Sequence, residues 1–110
     1  MIGGNVEAMI QIKKPVRNEI GESVSTWADV QPVTGCLDSN GGQAAYATFN
    51  TKIVESSHVF ISDFQELDGR IKAENSRMVI NGKVYDIMLI DDPMELHKQL
   101  EIFLKYTGGQ

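Results

Sequence analysis

The sequence predicts an all-β chain: a small antiparallel β-barrel of six or seven strands with one long inserted loop. Three observations predict it. Short runs alternate apolar and polar residues with period two, the mark of a half-buried strand. Turn residues separate these runs at the spacing of small barrels and sandwiches. Asn81-Gly82 stands between two apolar runs, and a type I′ hairpin needs positive φ at both central residues.

The first strand covers residues 6–16, where Val6, Ala8, Ile10 and Ile12 alternate with Glu7, Met9, Gln11 and Lys13. Pro15 marks its end. Residues 17–22 form a turn in which Gly21 is able to take positive φ. The second strand covers residues 23–30, with Val24, Thr26, Ala28 and Val30 on one face and Ser23, Ser25, Trp27 and Asp29 on the other. Pro32 interrupts ladder pairing, and residues 33–37 continue extended, with Val33, Gly35 and Leu37 on one side.

From Asp38 to Ser57 the alternation is lost. Asp38-Ser39-Asn40-Gly41-Gly42 breaks regular structure, and Ala45, Phe49 and Ile53 leave only a weak helical stripe. Loops this long are uncommon in compact domains and are usually functional or disordered. Residues 58–64 restore a strand, with Val59 and Ile61 opposing Phe60 and Phe64. Asp68-Gly69 is a turn, and the hairpin arms are residues 77–80 and 83–90. The second arm is apolar on both faces, Tyr85, Ile87 and Leu89 against Val84, Met88 and Ile90, which reads as a central strand. After Asp91-Asp92-Pro93, residues 94–99 form a short connection of about one helical turn. Residues 100–106 form the last strand, with Leu100, Ile102, Leu104 and Tyr106 on one face, and residues 107–110 fray. The whole, residues 1–110, reads as one barrel domain with residues 39–57 as a flexible loop within it.

A chain of 110 residues fits one domain with a modest core. The apolar share of 42% and charged share of 23% are ordinary globular usage. The net charge is −5, with 10 Lys and Arg against 15 Asp and Glu and no basic run, which argues against a grip on nucleic-acid phosphates. Cys36 is the single cysteine, so no internal disulfide forms and a reducing compartment fits best. No apolar run reaches bilayer length and the N-terminus lacks a signal-peptide pattern, so a cytosolic location, or assembly there, is expected.

Little here suggests catalysis. His58, His97 and Cys36 lack any metal-ligand spacing. Asp63, Glu66 and Asp68, and the pair Asp91-Asp92, do not match a calcium loop and read as turn residues. Gly41-Gly42 lacks the Lys-Ser or Lys-Thr of a phosphate loop, and no nucleophile elbow occurs. No enzyme activity and no cofactor are expected. Trp27 and Tyr85 are candidates for interface anchors, though in a barrel this small the core is the stronger expectation. Phe49 lies in the poorly patterned segment and fits an interface as well as it fits packing on its own domain.

Taken in order, these elements resemble the head-completion proteins of tailed phages, the stopper or head-closure family of the neck. The resemblance runs through Ile10-Gln11-Ile12-Lys13-Lys14-Pro15-Val16, Gly21-Glu22 with Trp27, Val30 and Pro32-Val33, and then His58-Val59-Phe60-Ile61. It is fullest in Arg77-Met78-Val79-Ile80-Asn81-Gly82-Lys83-Val84-Tyr85-Asp86-Ile87, Asp91-Asp92-Pro93, His97 and Leu100-Glu101-Ile102. It spans nearly the whole chain, and its force lies in the combination rather than in any one motif.

The resemblance implies a structural neck protein, from a phage or a prophage, that joins head to tail and helps close the portal channel on packaged DNA. It implies a ring of copies between a portal-side adaptor and a tail-side protein, monomeric when free, in a virion neck assembled in the host cytoplasm. DNA would then be a neighbour in the channel and no membrane would be involved. The long loop would enter the channel, with Gly41 and Gly42 as a hinge, Tyr46, Phe49 and Ile53 in loop-to-loop contacts, and Lys52 as its only cation. Two other readings stay open: a stand-alone SH3-like or OB-like binding module, and another neck protein such as a tail-completion factor.

Overall fold

The computed structural model describes residues 6–39 and 56–109. Six strands make up the fold: β1 (Val6–Arg17), β2 (Ser23–Ser39), β3 (His58–Asp63), β4 (Ser76–Ile80), β5 (Lys83–Asp91) and β6 (Gln99–Gly109). All pairings are antiparallel. The strands close into a barrel in the order β1-β2-β3-β6-β5-β4, so the expected all-β barrel is the observed one.

Period-two alternation decides which side chains enter the barrel. Ile10, Phe60, Met78, Ile80, Ile102 and Leu104 are fully buried at its centre, with Ala8, Ile12, Val33, Tyr85 and Ile87 around them. Burying each large side chain of this kind is worth roughly 1.5–3 kcal/mol. Gly35 is needed where β2 crosses the Phe60 ring. A Cβ there would lie 2.4 Å from the Ile61 carbonyl oxygen and 2.9 Å from Phe60 Cε1. Val59 and Phe103 point the other way and form a second cluster with Ile61, Met88 and Leu89.

Several local expectations are corrected. Pro32 does not interrupt β2; it sits opposite Met9 inside a continuous strand. It is tolerated because β2 pairs with β3 only from Cys36 onward, so at Pro32 the ladder runs on one side alone. That open side is held by Gln31, which accepts from the Asp68 amide at 2.8 Å and donates to the Glu66 carbonyl at 3.3 Å. In β5 a register shift skips Met88. The bulge reverses the alternation, so Ile90 packs on the main core and Leu89 on the second cluster, the opposite of an uninterrupted reading. The C-terminal tail is not frayed over residues 107–109. Gly108 and Gly109 pair with Val84 and Lys83, and Thr107 Oγ1 donates to the Val84 carbonyl at 3.0 Å. Trp27 is not core; it lies half-buried on the outer face beneath the Arg77 guanidinium, 4.4 Å from the ring centre. Tyr85 is core as expected.

The hairpin at Asn81-Gly82 has φ values of 51° and 77°, the positive pair that a type I′ turn demands. Its counterpart, the turn after β1, is held by Asn18 Oδ1, which accepts from the Ile20 and Glu22 amides at 3.1 and 2.9 Å.

Two outcomes follow. Gly35→Ala should destabilise the barrel by about 1–3 kcal/mol, the cost of forcing a methyl into a filled core. Gly69→Ala, with nothing within 4 Å of the new Cβ, should leave the melting temperature almost unchanged. The half-buried Asp68 carboxylate is held at about 2, below its ordinary 3.8, by side-chain and backbone hydrogen bonds from Arg70. A lowered folded value contributes stability present above pH 3.8 that is lost as pH falls through about 2, and solvent keeps that contribution small. Removing the guanidinium in Arg70→Ala should bring the Asp68 midpoint back toward 3.8 in a carboxyl NMR titration.

Candidate functional site

The strand order sorts the connections between strands to the two ends of the barrel. One end collects the N-terminus of β1, the C-terminus of β2, the N-terminus of β3, the Asn81-Gly82 turn and the C-terminus of β6. The chain leaves β2 at Ser39 and returns at His58, and these two residues pair directly with each other. The segment between them is therefore rooted at one rung. The expected hinge and contact residues Gly41, Gly42, Tyr46, Phe49, Lys52 and Ile53 lie outside the described residues, as does the weak helical stripe.

The root of that segment is clamped from several sides. The Ser57 amide donates to the Leu104 carbonyl at 2.7 Å, and the Ser57 hydroxyl oxygen accepts from the Tyr106 amide at 2.8 Å. The same hydroxyl lies 2.9 Å from His58 Nδ1. His58 meets Tyr85 edge-on with ring centres 5.3 Å apart, and Tyr85 meets Tyr106 at the same distance. His58 is thus part of an aromatic stack that stiffens the rim. Sequence reasoning had placed it on a strand without seeing this, because its partners come from β5 and β6 and are remote in sequence.

The opposite end carries the β1–β2 turn and the β5–β6 connection. The latter is a 3-10 turn at Pro93–Glu95 in which Met94 takes a positive φ. Asp92 organises it, accepting from the Glu95 amide through its carbonyl at 2.8 Å and from the His97 amide through Oδ1 at 3.0 Å. The second carboxylate oxygen of Asp92 contacts His97 Nδ1. His97 is therefore a loop-ordering residue here, and His58, at the other end of the barrel, does not join it. Among the described residues no three His, Cys, Asp or Glu side chains gather closely enough to hold a metal ion.

The fold defines the class first: a small all-β protein built on one closed antiparallel barrel of six strands. The sequence model of the phage head completion proteins matches residues 3–106, and the chain belongs to that family. It is a structural protein of phage head completion, and such a component meets other virion proteins at the head–tail junction. The solution structure of a protein from Shigella flexneri 2a shares the fold, with a TM-score of 0.70, 19% identity, and coverage of 94% of this chain and 93% of that one. No curated protein matches.

The clamp is testable. Ser57→Ala should cost about 1 kcal/mol, the usual worth of a lost hydrogen bond. It should also speed hydrogen exchange at the Tyr106 amide, which loses its acceptor. Unchanged exchange at Tyr106 would show that the root is held by something else.

Proposed function

We propose that this chain is the closure component of the neck. Copies join into a ring between a portal-side adaptor and a tail-side protein, and the segment between β2 and β3 reaches toward the axis and retains packaged DNA. Gly41 and Gly42 serve as its hinge, and Tyr46, Phe49 and Ile53 make the contacts across the axis. Lys52 is its one cation. Assembly takes place in the cytoplasm of the bacterial host, from chains that are single until they meet the neck.

One observation carries the reading. A long insertion is rooted at a single rung, Ser39 opposite His58, on a closed and clamped barrel. Ordinary hairpin connections need only two to five residues. An insertion much longer than the turn requires, held at its base, fits a part that works beyond the barrel. The net charge of −5 suits a part lying beside DNA without adhering to it.

The test replaces residues 40–55 with an Asn-Gly turn, leaving the barrel intact. Particles carrying this variant should package DNA and then lose it, and electron microscopy should show emptied heads with the neck component still present. Full heads at the normal proportion would sink the proposal.

A further inference from the structure

At the end of the barrel away from the insertion, β1 and β2 outrun their neighbours. β4 pairs with β1 only as far as Ile12, and β2 pairs with β3 only from Cys36. Residues 13–17 and 23–27 therefore pair only with each other, as a two-stranded ribbon. At about 3.3 Å per residue the ribbon extends roughly 16 Å past the last shared rung. Val16 and Val24 stand opposite each other on it, both exposed, and Ile20 at its tip is 77% exposed. Such a ribbon is marginal in water without further packing.

The β5–β6 connection at the same end also displays apolar groups. Met94 is 86% exposed and Leu96 is exposed beside it. Met94, Glu95 and His97 all adopt positive φ, a conformation that non-glycine residues hold only under constraint. Asp92 and the His97–Phe64 ring contact, with centres 4.6 Å apart, supply that constraint.

The order β1-β2-β3-β6-β5-β4 puts the β1–β2 ribbon and the β5–β6 connection on opposite flanks of the barrel, three positions apart around a ring of six strands. They are at the same end. One flank carries the ribbon and the other the exposed Met94 and Leu96, so a contact between the two joins unlike surfaces, as a head-to-tail contact that repeats by rotation requires. The charges differ in sign: on the ribbon Lys13, Lys14 and Arg17 outnumber Glu19 and Glu22, leaving +1, whereas in the loop Asp91, Asp92 and Glu95 outnumber Lys98, leaving −2. If insertion ends face a central axis, the other ends lie at larger radius, where neighbours splay and a projecting ribbon spans the gap.

We infer that the ribbon is the copy-to-copy contact: Val16, Ile20 and Val24 cover Met94 and Leu96 of the next copy, with Lys13, Lys14 and Arg17 beside its Asp91 and Glu95. The inference rests on the ring proposed above. The experiment is cysteine cross-linking in assembled particles, using Ile20→Cys with Met94→Cys in a Cys36→Ser background. The double variant should give a ladder of multimers on non-reducing gels, and either single variant should give none beyond a dimer. Particles that hold their DNA but show no ladder overturn this contact and leave closure standing. Particles that hold DNA when the chain is absent overturn closure, and the ladder still decides the contact. A second pair of variants covers misfolding of the cysteine form. Lys13→Glu with Lys14→Glu should cut incorporation into particles by about tenfold, and Asp91→Lys with Glu95→Lys should restore it. No loss, or loss without restoration, overturns the inference.

Discussion

A ring of strands closes only as far along its axis as its shortest members reach, and that limit shapes this molecule. β4 has 5 residues and β3 has 6, whereas β1 has 12 and β2 has 17. The short strands set the height of the closed barrel. Within that height the ladders run right round the ring, except where β2 ahead of Cys36 lacks β3 as a neighbour and Gln31 bonds to the 66–68 loop instead. The surplus of β1 and β2 has only itself to pair with, and so it must project.

Closure at this small radius also dictates the packing. Interior positions are few, and Phe60, Ile10, Met78, Ile80, Ile102 and Leu104 take up the centre. Gly35 is the concession that lets the Phe60 ring fit beneath β2. Bulges supply the bending. The extra residue of β2 at Val30, the skipped Met88 of β5 and the skipped Thr107 of β6 each shift the register where strands of unequal course must stay paired. The bulge at Met88 has a second effect, turning Leu89 outward to complete the cluster around Val59 and Phe103.

This explains what was legible in the sequence. Strands and the Asn81-Gly82 turn depend on neighbours a few residues away, so alternation and turn chemistry locate them. Bulges depend on the partner strand, so alternation grouped Leu89 with Tyr85 and Ile87, whereas the bulge at Met88 puts Ile90 with them and turns Leu89 to the second cluster. Pro32 looked disruptive because its open side is a property of the sheet order, not of the local chain. Trp27 looked like core because a lone tryptophan is costly to expose. Arg77, remote in sequence, supplies the cover instead, and Gln11 fixes the guanidinium by accepting from Arg77 Nε at 2.7 Å. The Ser57 and His58 clamp went unseen because each contact joins elements brought together only by closure.

The same constraint separates stability from recognition. Residues inside the closed height are committed to the core, and changes there are paid for in folding free energy. The β1–β2 ribbon and the exposed Met94 and Leu96 lie beyond it. The ribbon joins the barrel at a fixed rung, and its Val16, Ile20 and Val24 are exposed, so its composition is free of the core's demands. Exposed Ile20 and Met94 would be liabilities on a protein that worked alone. On a protein whose family completes phage heads they are the surfaces that assembly would be expected to use. Sheet closure fixes the ribbon and the Met94 loop on opposite flanks of one end, so any protein that meets both must reach across the barrel or come as two partners.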